Sequence, residues 1–152
     1  MSFYKISAKM GHQGYGKHSN ICFYVFANST SDALQQLRRL PAVKKGNSFP
    51  CSGLKVVDEK EFILGNIFNQ YYKQINSIDI SEVSPLQSLS KRLKRIPSTY
   101  QFLTIEGQTI HNLCKAFDSA TDDNKKDIEQ KYVRYATELI NKYSAINEFS
   151  FN

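Results

Sequence analysis

The chain has no tryptophan, only three cysteines and four prolines, and no long apolar run, and each shortage excludes something. Cys22, Cys51 and Cys114 are odd in number and lack a CxxC spacing, so neither a disulfide framework nor a thiolate zinc site is expected, and the compartment reads as reducing. No stretch approaches the roughly 20 apolar residues of a membrane span, and the opening MSFYKISAK lacks the apolar core of a secretory signal. The expectation is a cytoplasmic protein with no membrane partner. Internal repeats and low-complexity segments are missing, as are GxSxG, HExxH and comparable catalytic signatures. No cofactor or metal is called for, and the sequence leans away from an enzyme.

What is present is a core and a skewed charge. Over 152 residues a hydrophobic fraction of 41% suffices for a buried interior, and the aromatic content rests on nine tyrosines and ten phenylalanines. The formal charge is +6. Residues 1–60 hold nine basic side chains (Lys5, Lys9, Lys17, Arg38, Arg39, Lys44, Lys45, Lys55, Lys60) against three acidic ones (Asp32, Asp58, Glu59). From residue 61 onward there are eleven of each sign. An anionic partner is therefore to be sought at the N-terminal part first.

The chain changes character near residue 60. In FYKISAKM, Tyr4, Ile6, Ala8 and Met10 alternate with Lys5, Ser7 and Lys9, the period of a strand with one buried face. NICFYVFA, richer in aromatic and β-branched residues, reads as a more central strand. NSTSDALQQLRRLP has the start and stop of a helix: Ser29, Thr30 or Ser31 as cap, Asp32 in the first turn, Ala33, Leu34, Leu37 and Leu40 on one face, and Pro41 as terminator. LKVVD then returns as a third strand. The fold class expected is α+β, a small antiparallel sheet in strand-strand-helix-strand order followed by a helical C-terminal half. The division expected is a basic α+β unit over 1–60 and a helical layer over 61–152, packed as one compact protein.

The helical half is read from its periodicity. Ile63, Ile67, Tyr71 and Ile75 recur every fourth residue over 59–75, a short helix follows from Leu86 to Ile96, and Pro97 stops it. Leu103, Ile110, Leu113, Cys114 and Phe117 fit one helical face, which Gly107 shortens at its N-terminal side. Thr121 is a good cap with Asp122 and Asp123 behind it, and Ile128, Tyr132, Tyr135, Leu139, Tyr143 and Ile146 give the clearest helical stripe in the chain.

Candidate functional residues gather in three places. GHQGYGKH, residues 11–18, offers Lys17 and glycine N–H groups but not the GxxxxGK[ST] spacing of a nucleotide-triphosphate loop. His12 and His18 as acid and base, with Lys17 to hold a charged phosphorane, would make a metal-independent ribonuclease. The same loop also suits nucleic acid without catalysis, Lys17 on phosphate and the Tyr15 ring on a base, or it is simply a solvated hairpin turn. Arg38, Arg39, Lys44 and Lys45 form a second cluster, where a helix C-terminus already favours the two arginines. Lys91, Arg92, Lys94 and Arg95 form a third, on an amphipathic helix. Lys5, Lys9 and Lys55, with Tyr24 or Phe26 between them, would add a stacking surface if their sheet face stood clear of helices. His111 beside Cys114 falls short of a zinc site, and helix capping accounts for Asp118, Asp122 and Asp123.

Three functions follow in order of expectation. The first is a non-enzymatic basic protein that engages RNA or DNA backbone through its N-terminal part, using Tyr15, Lys17, Arg38, Arg39, Lys44, Lys45 and the Lys91–Arg95 cluster. Its topology is similar to small ribosomal and RNA-binding modules, a likeness of strand order alone. The second is a protein-interaction adaptor or inhibitor, or a homodimer, built on aromatic-rich helices. The third is the ribonuclease of His12, Lys17 and His18.

Overall fold

The structure, a computed structural model, describes residues 1–10, 19–39, 51–76 and 84–143. Among them are three strands and five helices: β1 (Ser2–Met10), β2 (Ser19–Ala27), α1 (Thr30–Arg38), β3 (Cys51–Val57), α2 (Glu59–Asn76), α3 (Pro85–Leu93), α4 (Ile105–Ser119) and α5 (Asp122–Tyr143). The fold is α+β, with an antiparallel sheet at the N-terminus and helices filling most of the C-terminal half. No helix among the described residues is long and apolar enough to cross a membrane.

Chain contacts divide the protein into two units between Gly65 and Asn66, within α2. In the first unit the sheet order is β2-β1-β3, with both pairings antiparallel. The central strand is therefore β1, not the more aromatic β2, which lies at an edge. A lysine on its face does not keep a strand at an edge when the charge finds a partner, as Lys5 does in Glu61. The register puts Phe3, Lys5 and Ser7 opposite Phe26, Tyr24 and Cys22, and Tyr4, Ile6 and Ala8 opposite Val25, Phe23 and Ile21. Directly opposed residues share a face, and both faces bury side chains: Phe3, Tyr24 and Phe26 on one, Tyr4, Ile6, Ala8 and Phe23 on the other.

Short-range chemistry sets the helix limits. Ser29 Oγ accepts the Asp32 N–H at 3.1 Å and caps α1, and Asp32 in turn accepts the Asn28 N–H at 3.1 Å. Gln36 Nε2 ties α1 to β2 by donating to the Phe26 carbonyl at 2.9 Å. Leu37 is fully buried, as its helical spacing requires, while Leu34 is half-buried and Leu40 and Pro41 lie outside the described residues. Asp58 Oδ1 accepts the Glu61 N–H at 2.8 Å at the start of α2, and carboxylates near a helix N-terminus oppose its positive end.

In the second unit α3, α4 and α5 pack mutually around Leu86, Leu89, Ile110, Phe117, Tyr132 and Leu139. The nine-residue α3 is held at its start by Ser84, which accepts the Gln87 N–H at 3.1 Å. Glu129 of α5 completes that cap, accepting hydrogen bonds from the Ser84 hydroxyl at 2.5 Å and the Leu86 N–H at 3.1 Å. Leu103 departs from its expected place on a helical face. Thr104 caps α4 through the Gly107 N–H at 3.0 Å, so the helix starts one residue after the cap and Leu103 is left 86% exposed. Gly107 therefore sits inside the first turn, buried, rather than shortening the helix.

At Gly65 the helix α2 lies close against the sheet. A Cβ built there would run into the Tyr24 ring well inside contact distance, so α2 approaches the sheet as closely as it does because this residue has no side chain. The variant Gly65→Ala is expected to lose about 1–3 kcal/mol of stability despite alanine's better helix propensity, as overpacking a core does. Urea unfolding measures it; an unchanged or raised midpoint would mean the ring yields freely.

Candidate nucleic-acid interface

The sheet face with alternating lysines and aromatics has the composition of a base-stacking platform, and α2 closes it. Phe62 of α2 packs on Phe3 with ring centroids 4.4 Å apart, and Phe3 packs on Phe26 at 4.8 Å. Tyr24 and Phe26 are each 5% exposed. Lys5, between them on β1, reaches Glu61 at 3.7 Å, with side-chain exposures of 12% and 17%. A partly buried lysine is tolerable when a carboxylate answers it. Lys5, Tyr24 and Phe26 thus share one face as the alternation predicts, but they form interior rather than surface. Lys55, on the edge strand β3 of that face, stays exposed.

Arg38 and Arg39 end α1, both exposed, and Arg39 caps the helix through backbone hydrogen bonds to Gln36 and Leu37. Their cationic side chains lie at the negative end of the helix dipole. Tyr15, Lys17, Lys44 and Lys45 lie outside the described residues, as do His12 and His18 of the ribonuclease reading and the side chain of Lys9.

The third cluster divides by role. Arg92 is half-buried and its Nη1 donates at 2.8 Å to Oδ1 of the fully buried Asn66, with burial first and the neighbouring Arg95 second in lowering its pKa. It ties α3 to Asn66 of α2. Lys94 lies 3.7 Å from Asp118, whose carboxylate also accepts the Ser90 hydroxyl at 3.1 Å. That ion pair is exposed and worth little by itself. It does offset an acidic side chain in the last turn of α4, where the dipole disfavours one. Lys91 and Arg95 are exposed. The helical spacing of KRLKR gives all four cations equal standing, because spacing does not reveal the buried asparagine one of them must satisfy.

Elsewhere in the helical unit, the candidate metal and thiol chemistry is structural. Cys114 is buried, with its thiol pushed up to about 12 by burial first and by Asp118 and Glu129 next, which leaves it protonated and inert. Among the described residues no group of three or more His, Cys, Asp or Glu could hold a metal ion. His111 packs beside Phe102 at 5.3 Å between ring centroids. Phe102 in turn meets Tyr100 edge-on at 5.4 Å. Two aliphatic side chains beside this aromatic row are surface that the sequence reading does not foresee: Leu103 and Ile105, which is 82% exposed. The signal is Thr104, a good capping residue between them.

No protein-family model, curated protein or solved structure matches the chain.

Burial and then Lys115 lower the His111 pKa from its ordinary 6.5. The folded state thus holds fewer protons than the unfolded one in the window just below pH 6.5, and stability falls as pH drops through that window. His111→Gln should flatten this part of the stability profile, read from urea midpoints between about pH 5 and 7. A profile of unchanged slope would show that another group carries it.

Proposed function

We propose that this is a non-enzymatic protein that binds nucleic acid by its phosphate backbone through the N-terminal part of the chain. The carrying observation is the confinement of the whole positive surplus to residues 1–60, with Arg38, Arg39 and Lys55 exposed there. Such a surplus draws in a polyanion at long range and gains affinity by releasing its condensed counterions. Lys17, Lys44 and Lys45 belong to the same reading by their place in the sequence. Lys91 and Arg95 are a second patch of the same chemistry, from which Arg92 is withdrawn by its bond to Asn66.

The test is titration of the nucleic-acid-free protein with RNA and DNA at two salt concentrations, beside the variant Arg38→Ala, Arg39→Ala, Lys44→Ala, Lys45→Ala. Affinity is expected to fall steeply with salt. The variant's slope of log K against log salt should be shallower by about 0.9 for each duplex phosphate that the removed cations had neutralised. Binding that ignores salt, or no binding, sinks the reading.

A second reading, a protein-interaction role for the helical unit or self-association through it, is favoured by Leu103 and Ile105, two large aliphatic residues at over 80% exposure on either side of one cap. If self-association is the answer, the chain sediments as a concentration-dependent dimer, and Leu103→Ser, Ile105→Ser makes it monomeric. A wild-type monomer at all concentrations removes that form of the reading.

A further inference from the structure

We infer that the nucleic acid is recognised as a polyanion, by charge and without reading or stacking its bases, an inference that rests on the function proposed above. Sheet-based modules that grip single strands do so with aromatic rings standing on the open sheet face. Here the strands carry such rings in number, and all six described in the first unit are inside: Phe3, Tyr4, Phe23, Tyr24, Phe26 and Phe62, none more than 6% exposed. The closing element is itself part of the core, with Phe62 buried. Gly65 brings α2 within a distance of Tyr24 that admits no Cβ, Phe62 rests on Phe3, and Glu61 answers the charge of Lys5. Opening the face would expose three rings to water and break that ion pair.

Among the described residues of this unit, three cations stand at the surface. Arg38, Arg39 and Lys55 are exposed, and all three are long side chains whose charged ends suit phosphate oxygens. The chemistry such a surface recognises is a chain of closely spaced phosphate charges. Single strands, duplexes and strands lacking bases should therefore compete for it at equal charge density, and inorganic polyphosphate should displace them.

The experiment measures binding of the intact chain to an oligodeoxynucleotide, to the abasic strand of the same length and to inorganic polyphosphate of matched charge, each at two salt concentrations. Affinities of the intact and abasic strands within a few-fold, with the same salt slope and with displacement by polyphosphate, are the expected result. An intact strand that binds about tenfold or more above the abasic one, the effect of a stacked base, overturns charge-only recognition while leaving nucleic-acid binding standing, and sends base contact to Tyr15. Polyphosphate that fails to displace either strand overturns it as well. If none of the three binds, the proposed function falls together with the inference.

Discussion

The seating of α2 on the sheet is the contact on which the rest of the first unit depends. It rests on a missing side chain at Gly65, a ring pair between Phe62 and Phe3, and an ion pair between Glu61 and Lys5. Each answers a different physical demand: close approach, apolar burial, and neutralisation of a charge that the central strand carries inward. With that face closed, Phe3, Lys5, Tyr24 and Phe26, which read like part of a recognition surface, belong to the interior of the unit.

The same economy of charge runs through the helical unit. Of the four cations in KRLKR, one satisfies a buried amide and one stands beside the carboxylate in the last turn of α4. The consecutive residues Gly65 and Asn66 illustrate the division of labour along α2. The first admits the Tyr24 ring in one unit and the second accepts the Arg92 guanidinium in the other. A long helix thereby contributes to two cores with opposite chemistries, absence of a side chain in one and a fully buried polar side chain in the next.

Much of this architecture is legible in the residues. The strand-strand-helix-strand order, the helix from Glu59, the cap at Ser29 and the stripe of Tyr132 and Leu139 all follow from periodicity and capping chemistry, which are local. What is not legible is decided by partners distant in sequence. Lys5 can sit on a covered central strand because it meets Glu61 on α2, so an alternating pattern that reads as half-exposed is buried on both sides. Leu103 fits a helical face by its spacing from Ile110, whereas the hydroxyl of Thr104 starts the helix beyond it. The site follows the same rule. Charge segregation is a property of composition and can be counted, but which cations face outward depends on who answers them.

Glu129 carries an implication for how the protein is made. α3 has nine residues, shorter than the roughly 12–15 that let an isolated helix persist in water, and its first turn is closed by a carboxylate 43 to 45 positions later in the chain. Until α5 has left the ribosome and folded back, the segment Pro85–Leu93 lacks the carboxylate that closes its first turn. α3 must therefore wait for α5, and the helical unit can lock only once that last helix has been synthesised.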